Sequence, residues 1–417
     1  MKVLHLTRHW NIGGAGTAIA EIHKELLRHG VDSHGRFESA SLESSDESQP
    51  LDNRLLPWRY QKSSLSRYSR IAQRYWNRRL NDKQTSQGWT TIFSDKTDGR
   101  RLVLDRTMKT AEVVHCNWIA QSFSLPWLLS ALSQASFVFR FTDSYHLTGG
   151  CHWPGDCSRW LQECRQCPRL AHRTSKRHVR KSRRAIERLA AFLANRSHIV
   201  AQSKWMAKRI ARHPFWSSLP CRVIINGINP EIFYPEDRPL QSDGRRLGLI
   251  IHRPGDKRCQ TDELIERLLP HLGPERQLVV VQFSGTQKDL GPHVQHLGRC
   301  TAIELAAEFR RVDCLLFPHL DDNCPNTVLQ SLGCGTPVSV LNDGGTPELI
   351  HPGRTGWINE SLDQMVQEFV QTKSTPQIGR AQIAKSVSTW SEASKTYAEV
   401  FNTAAANFGE RSVRPAC

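Results

Sequence analysis

Asp322 and Gln330 flank a step from a polar loop into an amphipathic stretch. The loop holds Pro325, the stretch holds Val328, Leu329 and Leu332, and Gly333 and Gly335 close it. Thr336-Pro337, a β-branched run and a second glycine turn at Gly344-Gly345 follow. This order reads as loop, helix, tight turn, strand, loop. A helix N-terminus carries unpaired N–H groups and a partial positive charge, which suits an anion such as a phosphate. Carboxylate and amide side chains at Asp322 and Gln330 can hydrogen-bond sugar or ribose hydroxyls. Together they describe a site for a nucleotide-sugar.

Three further groups have chemical potential. Arg253, Lys257 and Arg258 follow the apolar run Leu249-Ile250-Ile251 and form a cationic cluster. Gly13-Gly14-Ala15-Gly16 follows Val3–Leu6, and glycine there lets backbone approach a ligand closely. Gly16 has a second reading, as a contact for helix packing. Cys151, Cys157, Cys164 and Cys167 are spaced C-x5-C-x6-C-x2-C, with His152 beside the first. Four thiolates can hold a structural zinc tetrahedrally, although this spacing departs from a standard knuckle. Free thiols or a disulfide are the competing readings.

The elements that must position these residues alternate between strand and helix. Val3–Leu6, Val113–His115, Phe137–Phe139 and Ile199–Ala201 read as strands of a first half, and Val223-Ile224-Ile225 with Asn226-Gly227-Ile228 reads as the crossing into a second domain. Leu249–Ile251, Leu278–Gln282, Cys314–Phe317 and Val338–Leu341 read as strands of a second. Helices are expected at Thr17–Leu27, around Leu125–Leu132, after Ser203, and from Trp390 to Phe408. Residues 38–53 read as a polar loop. The alternation predicts a parallel α/β architecture in both halves.

The 417 residues carry a net charge of +16, unevenly placed. Residues 1–217 hold 36 Lys+Arg against 17 Asp+Glu, and the remainder holds 20 against 23. The first half is therefore cationic and suits an anionic lipid surface, an acidic glycan or nucleic acid. A merely solvated basic face is the plainer alternative. Residues 58–80 read as a basic amphipathic helix, with Tyr68, Tyr75 and Trp76 among arginines, and 173–184 is the densest basic run. Aromatic residues beside arginines fit an anionic membrane surface, although a core-packed helix explains them equally. No stretch approaches the ~20 apolar residues of a membrane span, and the N-terminal run is too short for a signal peptide. The expectation is a cytoplasmic protein, peripheral on the inner membrane face, with reduced cysteines.

Ordered landmarks along nearly the whole chain resemble glycosyltransferase family 4, the retaining GT-B enzymes. They are the glycine loop at 13–16, VIINGINPEIFYP at 223–235, and the stretch from FSGTQKDLGP through DNCPNTVLQSLGCGTPV at 283–338. DSYHLTGGCHWPGDCSRWLQECRQCPRL at 143–170 is similar to enzymes that build bacterial exopolysaccharides, including the colanic acid type. The resemblance implies two Rossmann-like, doubly wound domains facing a central cleft. Residues 1–218 would bind the acceptor and 219–388 the nucleotide-sugar, while 389–417 would return to the first domain. It implies that Asp322 contacts the donor sugar and Gln330 the ribose, where relatives carry Glu at both positions. Asn326, Thr327 and Val328 would present N–H groups to the diphosphate and sugar. Arg253, with Lys257 or Arg258, would clamp the diphosphate, and Gly13 and Gly14 would close on the same phosphates. The charge that develops on the leaving diphosphate would be met by these cations, with no cofactor required. Relatives carry His-x-His where this chain has His115-Cys116-Asn117, and a His where it has Thr142. Asp143 is the remaining polar candidate near the acceptor, with a buried structural Asp as its alternative.

The reading is an enzyme that moves a sugar from a nucleotide donor to a glycan or lipid-linked acceptor. The replacements at Asp322, Gln330, Asn117 and Thr142 motivate a second reading, a catalytically impaired relative that binds glycans or protein partners. A nucleic-acid binder would account for the charge but not for the segment around Asp322, so no nucleic acid is expected.

Overall fold

The computed structural model describes residues 1–41, 53–61, 101–120, 122–148, 150–162, 164, 193, 196–240, 246–251, 254–283, 285, 289–371 and 376–412. The basic stretches at 62–80 and 173–184, Arg253 and Cys167 lie outside the described residues.

The chain forms two compact units. The first holds the described residues up to Ile225 together with the chain from Trp390, and the second spans Asn226–Thr389. In the first unit the strands are β1 (Lys2–Trp10), β2 (Asp32–Ala40), β3 (Leu55–Pro57), β4 (Val113–Cys116), β5 (Ser136–Phe141), β6 (Ser197–Ala201) and β7 (Cys221–Val223). They form one sheet in the order β3-β2-β1-β4-β5-β6-β7, parallel throughout. The second unit holds β8 (Arg246–Ile251), β9 (Gln277–Gln282), β10 (Val294–Leu297), β11 (Cys314–Phe317), β12 (Val338–Leu341) and β13 (Gly356–Asn359). Its sheet is also parallel, in the order β10-β9-β8-β11-β12-β13.

In each sheet the chain works outward from one central strand and then returns to the strand on its other side. The order therefore reverses between β1 and β4, and again between β8 and β11. Ligands of open α/β sheets bind outside the carboxyl ends of the strands at such a reversal.

Both faces of each sheet are covered, so the central strands are apolar runs. In the first unit Leu4, Leu6, Phe137 and Phe139 pack on one side, while Val3, Val113 and Val138 pack on the other. The second side receives the helices Gly13–Arg28 and Trp390–Ser412, through Ile19, Ile22, Leu26, Tyr397 and Phe401. Each such side chain, fully buried, contributes roughly 1.5–3 kcal/mol. The C-terminal helix is also bonded to the sheet. Ser136 Oγ donates to the Ala404 carbonyl at 2.7 Å, and Arg140 Nε donates to the Tyr397 hydroxyl at 2.9 Å.

β2 differs from expectation. It runs to Ala40 through Asp-Ser-His-Gly-Arg-Phe-Glu-Ser-Ala, partly inside the stretch read as a loop. Its polar residues are answered internally rather than by water. Arg36 Nε donates to Asp105 at 2.7 Å, and Ser33 Oγ lies 2.8 Å from ring nitrogens of both His5 and His23. β7 ends at Val223, and Ile224 and Ile225 lead out of the sheet to the second unit, which begins at Asn226.

Candidate functional site

At the reversal in the second unit, three loops meet and are tied by their backbones. Leu320 N–H, after β11, donates to the Arg258 carbonyl, after β8, at 2.8 Å. Gly345 N–H, after β12, donates to the Asp322 carbonyl at 2.7 Å. Asp321 turns left-handed, with φ of 52°, and its N–H donates to the Asp343 carboxylate. Gly344 closes the clamp at φ +72°, where a Cβ would lie 2.3 Å from the Asp322 carbonyl oxygen. Only glycine fits that approach.

The loops bring Asp322 to Arg258. Arg258 Nη1 donates to Asp322 Oδ2 at 3.2 Å, and His319 Nδ1 stands 3.6 Å from the same oxygen. His319 is buried against the Phe317 ring, at 4.0 Å between centroids. Burial alone would raise the Asp322 pKa, but the approach of His319 and the Arg258 charge outweigh it. The carboxyl is held below its ordinary range and is ionised at neutral pH. Burial lowers the His319 pKa, so its imidazole is neutral there. Burial opposes the Arg258 charge, and the carboxylates of Asp322 and Asp256 restore it. Lys257, the other cation read for this position, is exposed.

The helix Asn326–Gly333 begins directly after this loop. Its N-cap is Pro325, which supplies no side-chain cap, and its first turn contains no acidic residue. The positive end of the helix is thus left without a carboxylate of its own, the arrangement that favours an external anion. Asn326 Oδ1 accepts from Asn226 Nδ2 at 2.7 Å, which pins the 226 turn to the helix start. Val328 is fully buried in the core, so it can offer a ligand only its backbone. Thr327 is buried and Gln330 is half-buried.

The reversal in the first unit is built differently. Gly13 opens the helix Gly13–Arg28 at φ +65°, with Gly14 next and no side-chain cap. Gly16 is a packing contact, since a Cβ there would come 2.8 Å from the His9 carbonyl oxygen. Asp143, just past β5, accepts from Tyr145 N–H at 2.8 Å and from Trp118 Nε1 at 3.0 Å. Its Oδ2 also lies 2.6 Å from His152 Nδ1. Burial raises the Asp143 pKa, but these donors and His152 more than reverse the effect. His115 faces the core, with Nδ1 2.9 Å from His5 Nδ1 and its ring against Tyr397 and Phe401. Asn117 is likewise buried and bridges Arg140, Thr7 and the Ala15 carbonyl.

Cys151 and Cys157 are half-buried and Cys164 is buried, all in the first unit. Among the described residues no three His, Cys, Asp or Glu side chains are grouped to hold a metal. These three do not by themselves fit a zinc, and Cys167 lies outside the described residues.

His319, Asp343, Asn226 and the His152 contact were not among the residues expected from sequence. A histidine three residues before Asp322 and an Asp before the Gly344-Gly345 turn are weak local signals. His152 was visible only as the neighbour of Cys151.

Residues 262–373 match the family model described as Glycosyl transferases group 1. Among solved structures, sucrose-phosphate synthase from Thermosynechococcus elongatus superposes with a TM-score of 0.60 at 14% identity, over 97% of this chain and 99% of that one. HepE from Anabaena, solved with UDP and glucose, gives 0.57 at 14% identity, over 97% and 100%. The chain thus has the GT-B fold of glycosyltransferases and carries a group 1 glycosyl transferase segment through the Asp322 loop and its helix. Within that class it resembles the colanic acid type. It is 23% identical over 270 residues to WcaC of Escherichia coli (strain K12), assigned as a colanic acid biosynthesis glycosyl transferase. The match covers 62% of this chain and 64% of that protein's length.

Proposed function

We propose that the protein is a nucleotide-sugar-dependent glycosyltransferase that acts in cell-surface polysaccharide synthesis and retains the anomeric configuration. The observation that carries the reading is the Asp322–Arg258 pair beside an uncapped helix start, at the reversal point of the second unit. In this reading the helix start and Arg258 receive the diphosphate. Arg258 then exchanges Asp322 for phosphate oxygens, and the carboxylate turns to the hydroxyls of the donor sugar. Its lowered pKa keeps it an acceptor of hydrogen bonds. As the bond from the anomeric carbon to phosphate breaks, negative charge grows on the diphosphate. A fixed cation and helix dipole stabilise that charge without reorganising. The departing phosphate takes the acceptor proton, so no side-chain base is needed. Lys257 and Arg253 would add to the cationic field, and Gln330 would bond the ribose.

The related HepE was solved with UDP-glucose, which makes a uridine donor the first to try. The acceptor would be a glycan or a lipid-linked glycan, reached at an anionic membrane surface through the basic stretches of the first half. Among the described residues no helix is long and apolar enough to cross a membrane.

A thermal-shift screen across nucleotide-sugars tests the reading, because a ligand of the native state raises the melting temperature by mass action. The expected result is a shift with one nucleotide-sugar, lost in Arg258→Ala, together with slow release of free sugar from that donor. No turnover and no shift with any donor would reject the donor reading and favour the impaired relative that binds glycans or protein partners.

A further inference from the structure

Trp118 and His9 sit at the carboxyl ends of β4 and β1, the two strands between which the first sheet reverses. Their rings are stacked, 5.4 Å between centroids and 27° apart, and both are half-buried. Neither ring can swing freely. His9 Nδ1 lies 2.7 Å from Ser39 Oγ at the end of β2. Trp118 Nε1 donates to Asp143 at 3.0 Å, and His152 holds the same carboxylate oxygen at 2.6 Å. Asp143 and His152 are buried and Trp118 is half-buried, so the buried pair acts as a bracket for the more exposed indole. One residue before His9 on β1, Arg8 Nε pairs with Glu38 at 3.1 Å, and both are partly exposed.

We propose that the stacked Trp118–His9 pair is a shelf for a pyranose ring of the acceptor, and that Asp143 and His152 are positioning residues that hold the indole in place. This rests on the glycosyltransferase reading and deepens it. A pyranose presents an apolar C–H face and a rim of hydroxyls. Flat rings cover the face, and a carboxylate paired with a guanidinium answers the rim. Glu38 is balanced by Arg8, and Asp143 is held by Trp118 and His152, a pairing of charges that suits a neutral sugar. Fixing the rings before binding lowers the ordering cost of a weak carbohydrate contact.

Saturation-transfer NMR tests the shelf, with the methyl glycosides of glucose, galactose, mannose and fucose as probes. Thermal shift with UDP-glucose, UDP-galactose, GDP-mannose and GDP-fucose reads the donor in parallel. Trp118→Phe, which keeps a ring, is expected to retain the glycoside signal. Trp118→Leu and His9→Ala are expected to reduce it at least tenfold, with the donor shift unchanged. His152→Asn, which offers an N–H in place of Nδ1, should keep the signal that His152→Leu loses. Wild-type protein that shifts with a donor but binds no glycoside overturns the shelf, as does a signal that survives Trp118→Leu. Glycoside signals displaced by the nucleotide-sugar assign the rings to the donor and also overturn it. Equal loss in His152→Asn and His152→Leu overturns the positioning role alone. Glycoside binding that depends on Trp118, without any donor shift, leaves the shelf standing and rejects the glycosyltransferase reading.

Discussion

The two reversal points share a topology and differ in nearly everything placed on it. In the second unit the strand ends carry a carboxylate, a guanidinium and an uncapped helix start. In the first they carry two stacked rings and a carboxylate that is already committed to a buried histidine. One end carries a charged pair, while the other is aromatic and braced. The parallel sheet supplies the location, and the loops that follow each strand supply the chemistry.

The largest expected effect comes from the charged end. Arg258→Ala should lower kcat about 10²–10³-fold, the loss typical when one electrostatic donor to a transition state is removed. Steady-state kinetics on the identified donor would check it. An effect of equal size from Lys257→Ala would shift the essential charge to the exposed lysine and weaken the contrast.

Gly344→Ala should destabilise the second unit next. The φ of +72° and the contact with the Asp322 carbonyl put a Cβ in forbidden space, and such strain costs about 1–3 kcal/mol. Calorimetry should show a lower Tm for that unit, with the first unit's transition unmoved.

Acid separates the units in the opposite sense. His5 and His115 in the first unit are buried with pKa values well below 6.5, mainly through desolvation. The unfolded chain takes up their protons first, so stability falls as pH drops below 6.5, by at most about 1.4 kcal/mol per pH unit for each histidine. Asp322 acts in the same sense but in a lower pH window. Its depressed pKa stabilises the fold above the ordinary value of 3.8 and is lost only as pH falls through the lower, folded value. Between pH 6.5 and 5, hydrogen exchange should therefore open the first unit before the second. His319 narrows this gap, since burial lowers its pKa too.

Gln330→Glu should have the smallest effect. A carboxylate in place of the amide strengthens hydrogen bonds to ribose hydroxyls by about 1 kcal/mol. Donor affinity measured by calorimetry should tighten less than tenfold. Weaker binding would mean that Gln330 donates, rather than accepts, a hydrogen bond in this site.

What could be read from the residues depended on how local the cause was. Cys314–Phe317 and Val338–Leu341 form strands with the bounds expected, because both faces are covered and the apolar run itself marks the element. β2 escaped, because its buried polar side chains find partners on other elements, and no window of sequence shows them. The Asn326–Gly333 helix is marked by Pro325 before it and by glycine at its end, both local signals. The choice between Lys257 and Arg258 is not local, since it turns on which side chain the loop after β11 meets. The His152–Asp143 contact was hidden for the same reason. It closes a loop of nine residues, and the histidine gives no periodic signal of its own.

The helix Trp390–Ser412 completes the first unit from the far end of the chain. Synthesis therefore reverses the order of maturation. The second unit has all its residues once Thr389 is made, while Val3, Ile19 and Ile22 still lack the aromatic face of the last helix. The half that is translated first is the half that finishes folding last, and a chain that stops short of Trp390 leaves an apolar face of its oldest domain exposed to chaperones.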